Sequence, residues 1–147
     1  MKTDYYNLFN KLSQKKFGWR MRNGAFATGD KDFTGIFGTP YIFIPMGNKL
    51  QYLWSSIIKD LNYFIDGYTY EDNKRFNKLG EFDFDVDGTY GLHHLKDYQL
   101  EKVFKSILNT YDDYDMEEAI RSEGEIMFNC SKYMLINTKY DSELIIT

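Results

Sequence analysis

The feature that most limits how this chain can fold is a change of hydrophobic period along it. Helical spacing and extended alternation follow one another in no regular order. Tyr5, Leu8, Phe9 and Leu12 fall at i, i+3, i+4 and i+7, which predicts an amphipathic helix over residues 4–15. Asp4 suits its first turn and Lys15 and Lys16 its last, each matching the sign of the helix dipole. A second stripe, Leu100, Val103, Phe104, Ile107 and Leu108, runs through "YQLEKVFKSILN", with Glu101 four residues before Lys105. "DMEEAIRS" predicts a shorter helix, and "YLWSSIIKDLNYFI", apolar at 53, 54, 57, 58, 61, 64 and 65, predicts a buried one.

Extended signals lie between these. "FGWRMRNGAFATG" holds short pieces broken by Gly18, Gly24 and Gly29, and "YIFIPMG" reads as a strand. "EFDFDVDG" alternates strictly, and strands near "EIMFNC" and "YMLIN" follow, with "ELIIT" expected to pair back as a terminal hairpin. "DKDFTGIFGTP" is expected to be a turn or a single helical turn, and residues 66–80 a polar, exposed excursion. Helices and strands that mix without β-α-β alternation predict an α+β fold, a small mixed or antiparallel sheet with flanking helices.

A chain of 147 residues, 43% apolar and rich in Tyr and Phe (13 and 12 copies), is expected to form a single domain over 1–147 with an aromatic core. No apolar run approaches the roughly 18 residues of a membrane helix. "MKTDYYNLFN" lacks the apolar h-region of a signal peptide. Cys130 is the only cysteine, which excludes an internal disulfide and a cysteine-based zinc site. A cytoplasmic protein without a membrane partner is the expectation. The net charge of -4 is unevenly spread. Residues 1–60 hold nine Lys/Arg against four Asp/Glu, or +5, and residues 61–147 hold nine against eighteen, or -9. The front could attract a phosphate-bearing ligand, whereas the rear repels nucleic acid, so direct nucleic-acid binding is not expected.

Several chemical motifs are incomplete. "DFDVDG" matches the first half of a calcium loop at Asp83, Asp85, Asp87 and Gly88, but the position that needs a bidentate Glu carries His94. His93 and His94 are adjacent and cannot both face one point on a regular element. "GDKDFTGIFGTP" has neither the Lys-Ser/Thr of a phosphate loop nor the dinucleotide fingerprint. Ser55 and Ser56 fall in the predicted buried helix, and Cys130 in a strand where core filling is its expected role.

"SEGEIMFNC" is more informative. Glu123 and Glu125 stand one residue apart at the head of a strand, and on a strand both would share one face and repel. Such a pair is either a solvated strand end or a place where two carboxylates do chemistry. "RNGAFATG…FGTPYIFIP" followed much later by "SEGEIMFNCSKYMLI" resembles the skeleton of the ADP-ribosyltransferase superfamily over about half the chain. That family sets an early basic residue on a strand, then a Ser/Thr-containing strand, an aromatic-Gly step and another strand. It ends with an E-x-E or Q-x-E turn that opens the catalytic strand. Here Arg22 matches the basic residue, Phe26-Ala27-Thr28 the polar strand, Ile36-Phe37-Gly38 and Tyr41-Ile42-Phe43-Ile44 the next steps, and Glu123-Gly124-Glu125 the turn. Ala27-Thr28-Gly29 stands where Ser-Thr-Ser is usual, and Arg22 lies closer to it than in most members, as in the branch resembling RNA 2'-phosphotransferases. The chain also resembles small bacteriophage proteins with an "E-I-M-x-x-C-x-x-Y" phrase, which implies a host cytoplasm as its location.

The resemblance implies an NAD-dependent transfer of ADP-ribose to a host protein or nucleic-acid acceptor. Glu125 would stabilise the cationic transition state and Glu123 would orient or deprotonate the acceptor. Arg22 would pair with the pyrophosphate, Thr28 would order the ribose or Glu125, and Phe37 or Tyr41 would stack on nicotinamide. The acids of "YEDN", "EFDFDVD" and "YDDYDMEE" support a different expectation, a non-enzymatic acidic inhibitor of the anti-defence or immunity kind that binds a basic nuclease or toxin.

Overall fold

The computed structural model describes residues 1–30, 32, 40–76 and 91–137, and its architecture is α+β, with antiparallel sheets and flanking helices. Helix α1 spans Thr3–Phe17 and buries Tyr5, Phe9 and Leu12 of the expected stripe, with Leu8 partly buried, together with Asn10 and Ser13. Gly18 ends it in a left-handed conformation, φ 83°, and donates its N–H to the Gln14 carbonyl at 3.1 Å. A single 3-10 turn at Met21–Asn23 then leads into strand β1, Ala25–Thr28.

Strands β2 (Tyr41–Met46) and β3 (Gln51–Ser55) follow, then helices α2 (Leu61–Asp66), α3 (Tyr70–Phe76) and α4 (Asp97–Leu108). The chain continues through β4 (Tyr111–Asp112), α5 (Met116–Arg121), β5 (Glu125–Asn129) and β6 (Lys132–Asn137). The main sheet runs β1-β5-β3-β4, antiparallel throughout, and β2 pairs with β6 in a separate two-stranded ribbon.

Strand β5 organises the sheet. Met127 sits between Phe26 of β1 and Leu53 of β3, and Ile126 between Ala27 and Trp54. Alternation then divides the apolar side chains between two faces. Met127 and Leu53 join Tyr5, Phe9, Val103, Phe104 and Ile107 beneath α1 and α4, where the Phe9 and Phe104 rings stack with centroids 4.1 Å apart. Ile126, Phe128 and Trp54 pack on the opposite face with Ala119 of α5 and with Phe43 of the ribbon. Because it is buried on both faces, β5 reads as a continuous apolar run.

Two expectations are corrected. Residues 52–65 do not form one helix: Tyr52, Leu53 and Trp54 pair with β5, and the chain bends after them. The Ser55 hydroxyl accepts the N–H groups of Ile57 (3.2 Å) and Ile58 (3.1 Å), which turns the backbone out of the strand. Asp60 then caps a new start by accepting the N–H of Tyr63 at 2.8 Å. The polar excursion is also shorter than expected. Residues 70–76 are helical, with Thr69 and Asp72 bonded reciprocally across the first turn and Asn73 buried. The alternating "EFDFDVDG" with its half calcium loop, the "DKDFTGIFGTP" turn and the terminal "ELIIT" lie mostly or wholly outside the described residues. Among the described residues no helix is long and apolar enough to cross a membrane, and no group of three His, Cys, Asp or Glu could hold a metal.

Candidate active site

The ladder between β1 and β5 sets Thr28 opposite Glu125, at the end of the sheet where α2 and the turn after α5 converge. A cavity of about 820 Å³ opens there, and Arg22, Thr28, Glu123 and Glu125 all line it. Two segments about a hundred residues apart in sequence therefore share one hollow. Strand β5 begins at Glu125, so Glu123 lies in the preceding turn and not on the strand. Its φ of 59° is in the left-handed region, uncommon for glutamate, and this fold of the turn lets both carboxylates line one space.

Arg22 departs from its expected role. It is 3% exposed, and its Nη1 donates to Glu125 Oε1 at 2.9 Å while Nη2 donates to Asn62 Oδ1 at 3.0 Å. The Met127 sulfur lies 3.5 Å from Nη1, and the guanidinium sits 4.5 Å from the Phe26 ring centroid. A guanidinium held in this way is turned to a carboxylate and is not open to a pyrophosphate. The segment carrying it is equally fixed: the Arg22 N–H donates to Asn10 Oδ1 at 2.8 Å, and the Tyr6 hydroxyl donates to the Arg22 carbonyl.

Glu125 is 17% exposed, enough to present one side to the cavity. Burial pushes its carboxyl above the usual carboxylate range; Arg22 opposes that rise, and neighbouring Asp60 adds to it. Buried Tyr111 is pushed far above the ordinary phenol range, first by burial and then by the Glu125 charge. The Glu125 N–H donates to the Lys59 carbonyl at 2.7 Å, and the Lys59 ammonium donates to the Ser122 carbonyl, so the turn is tied to the segment leading into α2.

Thr28 also differs from expectation. Its hydroxyl donates to the Glu123 carbonyl at 3.0 Å and accepts the Asp30 N–H at 3.0 Å, so it holds the carboxylate turn and not a ligand hydroxyl. Tyr41 lies half exposed on β2 and is not among the residues that line the cavity; Phe37 is outside the described residues. Lys59, Asp60, Asn62 and Tyr6 also line the cavity and were not among the expected site residues. For Asp60 and Asn62 a signal was present: an Asp before a short apolar-polar run is a helix start, which would have separated them from the strand upstream. His93 and His94 are exposed and stand apart from this cavity.

No protein-family model, curated protein or solved structure matches the chain. The site is therefore read from its own chemistry: a buried cation fixing one carboxylate, a second carboxylate on a strained turn, and a hollow large enough for a nucleoside.

Proposed function

We propose that this cavity is a glycosyl-transfer site, at which Glu125 promotes scission of the bond between a ribose and a pyridinium ring. NAD is the donor and a host protein or nucleic acid the acceptor of ADP-ribose, as the resemblance to ADP-ribosyltransferases implies. One observation carries the reading: Glu125 is held at 2.9 Å by a buried Arg22 and still faces a cavity of about 820 Å³ shared with Glu123.

The bond from the ribose C1' to the nicotinamide nitrogen breaks, and its electron pair passes to the ring nitrogen, which loses its formal charge. Positive charge develops on C1' and the ring oxygen, the electronic problem glycosidases meet with carboxylates. A carboxylate already oriented by Arg22, whose other Nη is held by Asn62, stabilises that charge without reorganising. The acceptor oxygen or nitrogen forms the new bond to C1', and its proton passes to Glu123 as general base. Thr28 contributes by holding the turn that carries Glu123.

Release of nicotinamide from NAD, followed by chromatography with and without host lysate, tests the reading. Glu125→Gln should lower the rate about 100- to 1000-fold while the circular dichroism spectrum is retained. The reactive form is the anion, and burial raises the pKa of Glu125. Activity should accordingly fall as pH drops through a value above the ordinary carboxylate range, and remain level above it. An unchanged rate in Glu125→Gln would refute the assignment.

A second reading, the acidic inhibitor, is favoured by a specific surface. Asp112, Asp113, Asp115, Glu117 and Glu118 are all exposed around Tyr114, which is 72% exposed. A basic nuclease or toxin is the partner such a surface fits.

A further inference from the structure

The cavity has the wrong charge for a diphosphate. Asp30, Asp60, Glu123 and Glu125 line it against Arg22 and Lys59, four carboxylates to two cations. Arg22 is buried on Glu125, and Lys59 is a single charge whose ammonium already donates to the Ser122 carbonyl. A ligand portion bearing phosphates would meet net repulsion there, whereas a cationic portion would meet attraction. The Arg22 Nε–H has no hydrogen-bond partner, but it is buried within the enclosed guanidinium and offers a phosphate no open donor. Phe26, 43% exposed, and Ala27 add an apolar wall with no phosphate-binding group.

We infer that the cavity recognises the pyridinium-riboside half of its donor alone, leaving any diphosphate in solvent, so that nicotinamide riboside serves as well as NAD. This rests on the glycosyl-transfer reading and narrows its substrate class to cationic N-ribosides. The departing ring enters as a cation and leaves neutral, so the attraction of the acidic cavity is lost on bond cleavage and nicotinamide is free to leave.

Calorimetric titration of the full chain with nicotinamide riboside and with NAD, paired with nicotinamide release from each, tests the inference. Nicotinamide riboside should bind at least as tightly as NAD, and raising salt from about 50 to about 500 mM should weaken its binding and narrow the difference. Asp60→Asn, which keeps a capping oxygen for α2, should weaken nicotinamide riboside more than NAD. NAD binding about tenfold or more tighter than the riboside overturns the inference, and with rapid nicotinamide release from NAD it leaves glycosyl transfer standing. Preferential riboside binding with no release from either compound supports the selectivity and overturns glycosyl transfer. Failure of both compounds to bind overturns both.

Discussion

At the scale of single residues, the Arg22–Glu125 pair joins stability to chemistry. Charges taken out of water are tolerated only when paired, and removing one partner leaves the other uncompensated. Arg22→Met should therefore lower the unfolding free energy by about 3 kcal/mol in urea titrations near neutral pH. Without Arg22 the Glu125 pKa rises further, so the folded state binds the proton more tightly than the unfolded chain. Stability then falls as pH rises from the ordinary carboxylate range through the raised folded value, and the defect should shrink at acid pH. In the double variant with Glu125→Gln part of the loss should be recovered. An Arg22→Met protein as stable as the parent at every pH would show that the pair contributes nothing to the fold. Arg22 was legible as a candidate from its place before "NGAFAT", but its partner was not, because 103 residues separate it from Glu125.

At the scale of elements, the approach of β1 to β5 depends on glycine. A Cβ on Gly24 would stand 2.3 Å from the Phe128 carbonyl oxygen and 3.1 Å from the Trp19 ring. Backbone on one side and a packed indole on the other leave little room to relax, so Gly24→Ala should cost about 1–3 kcal/mol. It should also disturb nicotinamide release, since β1 carries Thr28 and follows Arg22; thermal melts and kinetics together check this. The long helices were legible because their stripes are long and regular. Residues 52–65 were not, because a short run such as Tyr52-Leu53-Trp54 fits a strand or a helix equally well, and the choice falls to whatever strand lies alongside. That strand is β5, more than seventy residues later. The Ser55 turn and the Asp60 cap are visible in the sequence once the strand is known, but their residue types alone do not require them.

At the scale of the whole molecule, exposed carboxylates of β4, α5 and the turn between them surround Tyr114, while the cavity takes its carboxylates from β5 and from the segments just after β1, before α2 and after α5. The two acidic regions can be tested separately. Neutralising Asp112, Asp113, Asp115, Glu117 and Glu118 should abolish any salt-sensitive binding to a basic nuclease in a pull-down and leave nicotinamide release unaffected. Glu125→Gln should do the reverse. If one set of substitutions removed both properties, the surface and the cavity would belong to a single site. Asp115→Asn keeps the oxygen that accepts the Glu118 N–H at the head of α5, and the exposed Arg121–Glu117 pair at 2.9 Å contributes little to stability, so a chain neutralised with Asn and Gln should fold.

The sequence by itself determined the local periods: the α1 and α4 stripes, the apolar β5 and the α+β class. These depend on neighbours three or four apart along a helix or two apart along a strand, and so are written in short windows. Only the tertiary structure decided that Arg22 faces Glu125 instead of a phosphate, that Thr28 holds the Glu123 turn, and that Asp60 and Asn62 complete the wall. Those outcomes follow from the antiparallel register of β5 against β1 and β3, which brings distant segments together. Burial then sets the energy of each charge by what it meets there and not by what lies beside it in sequence.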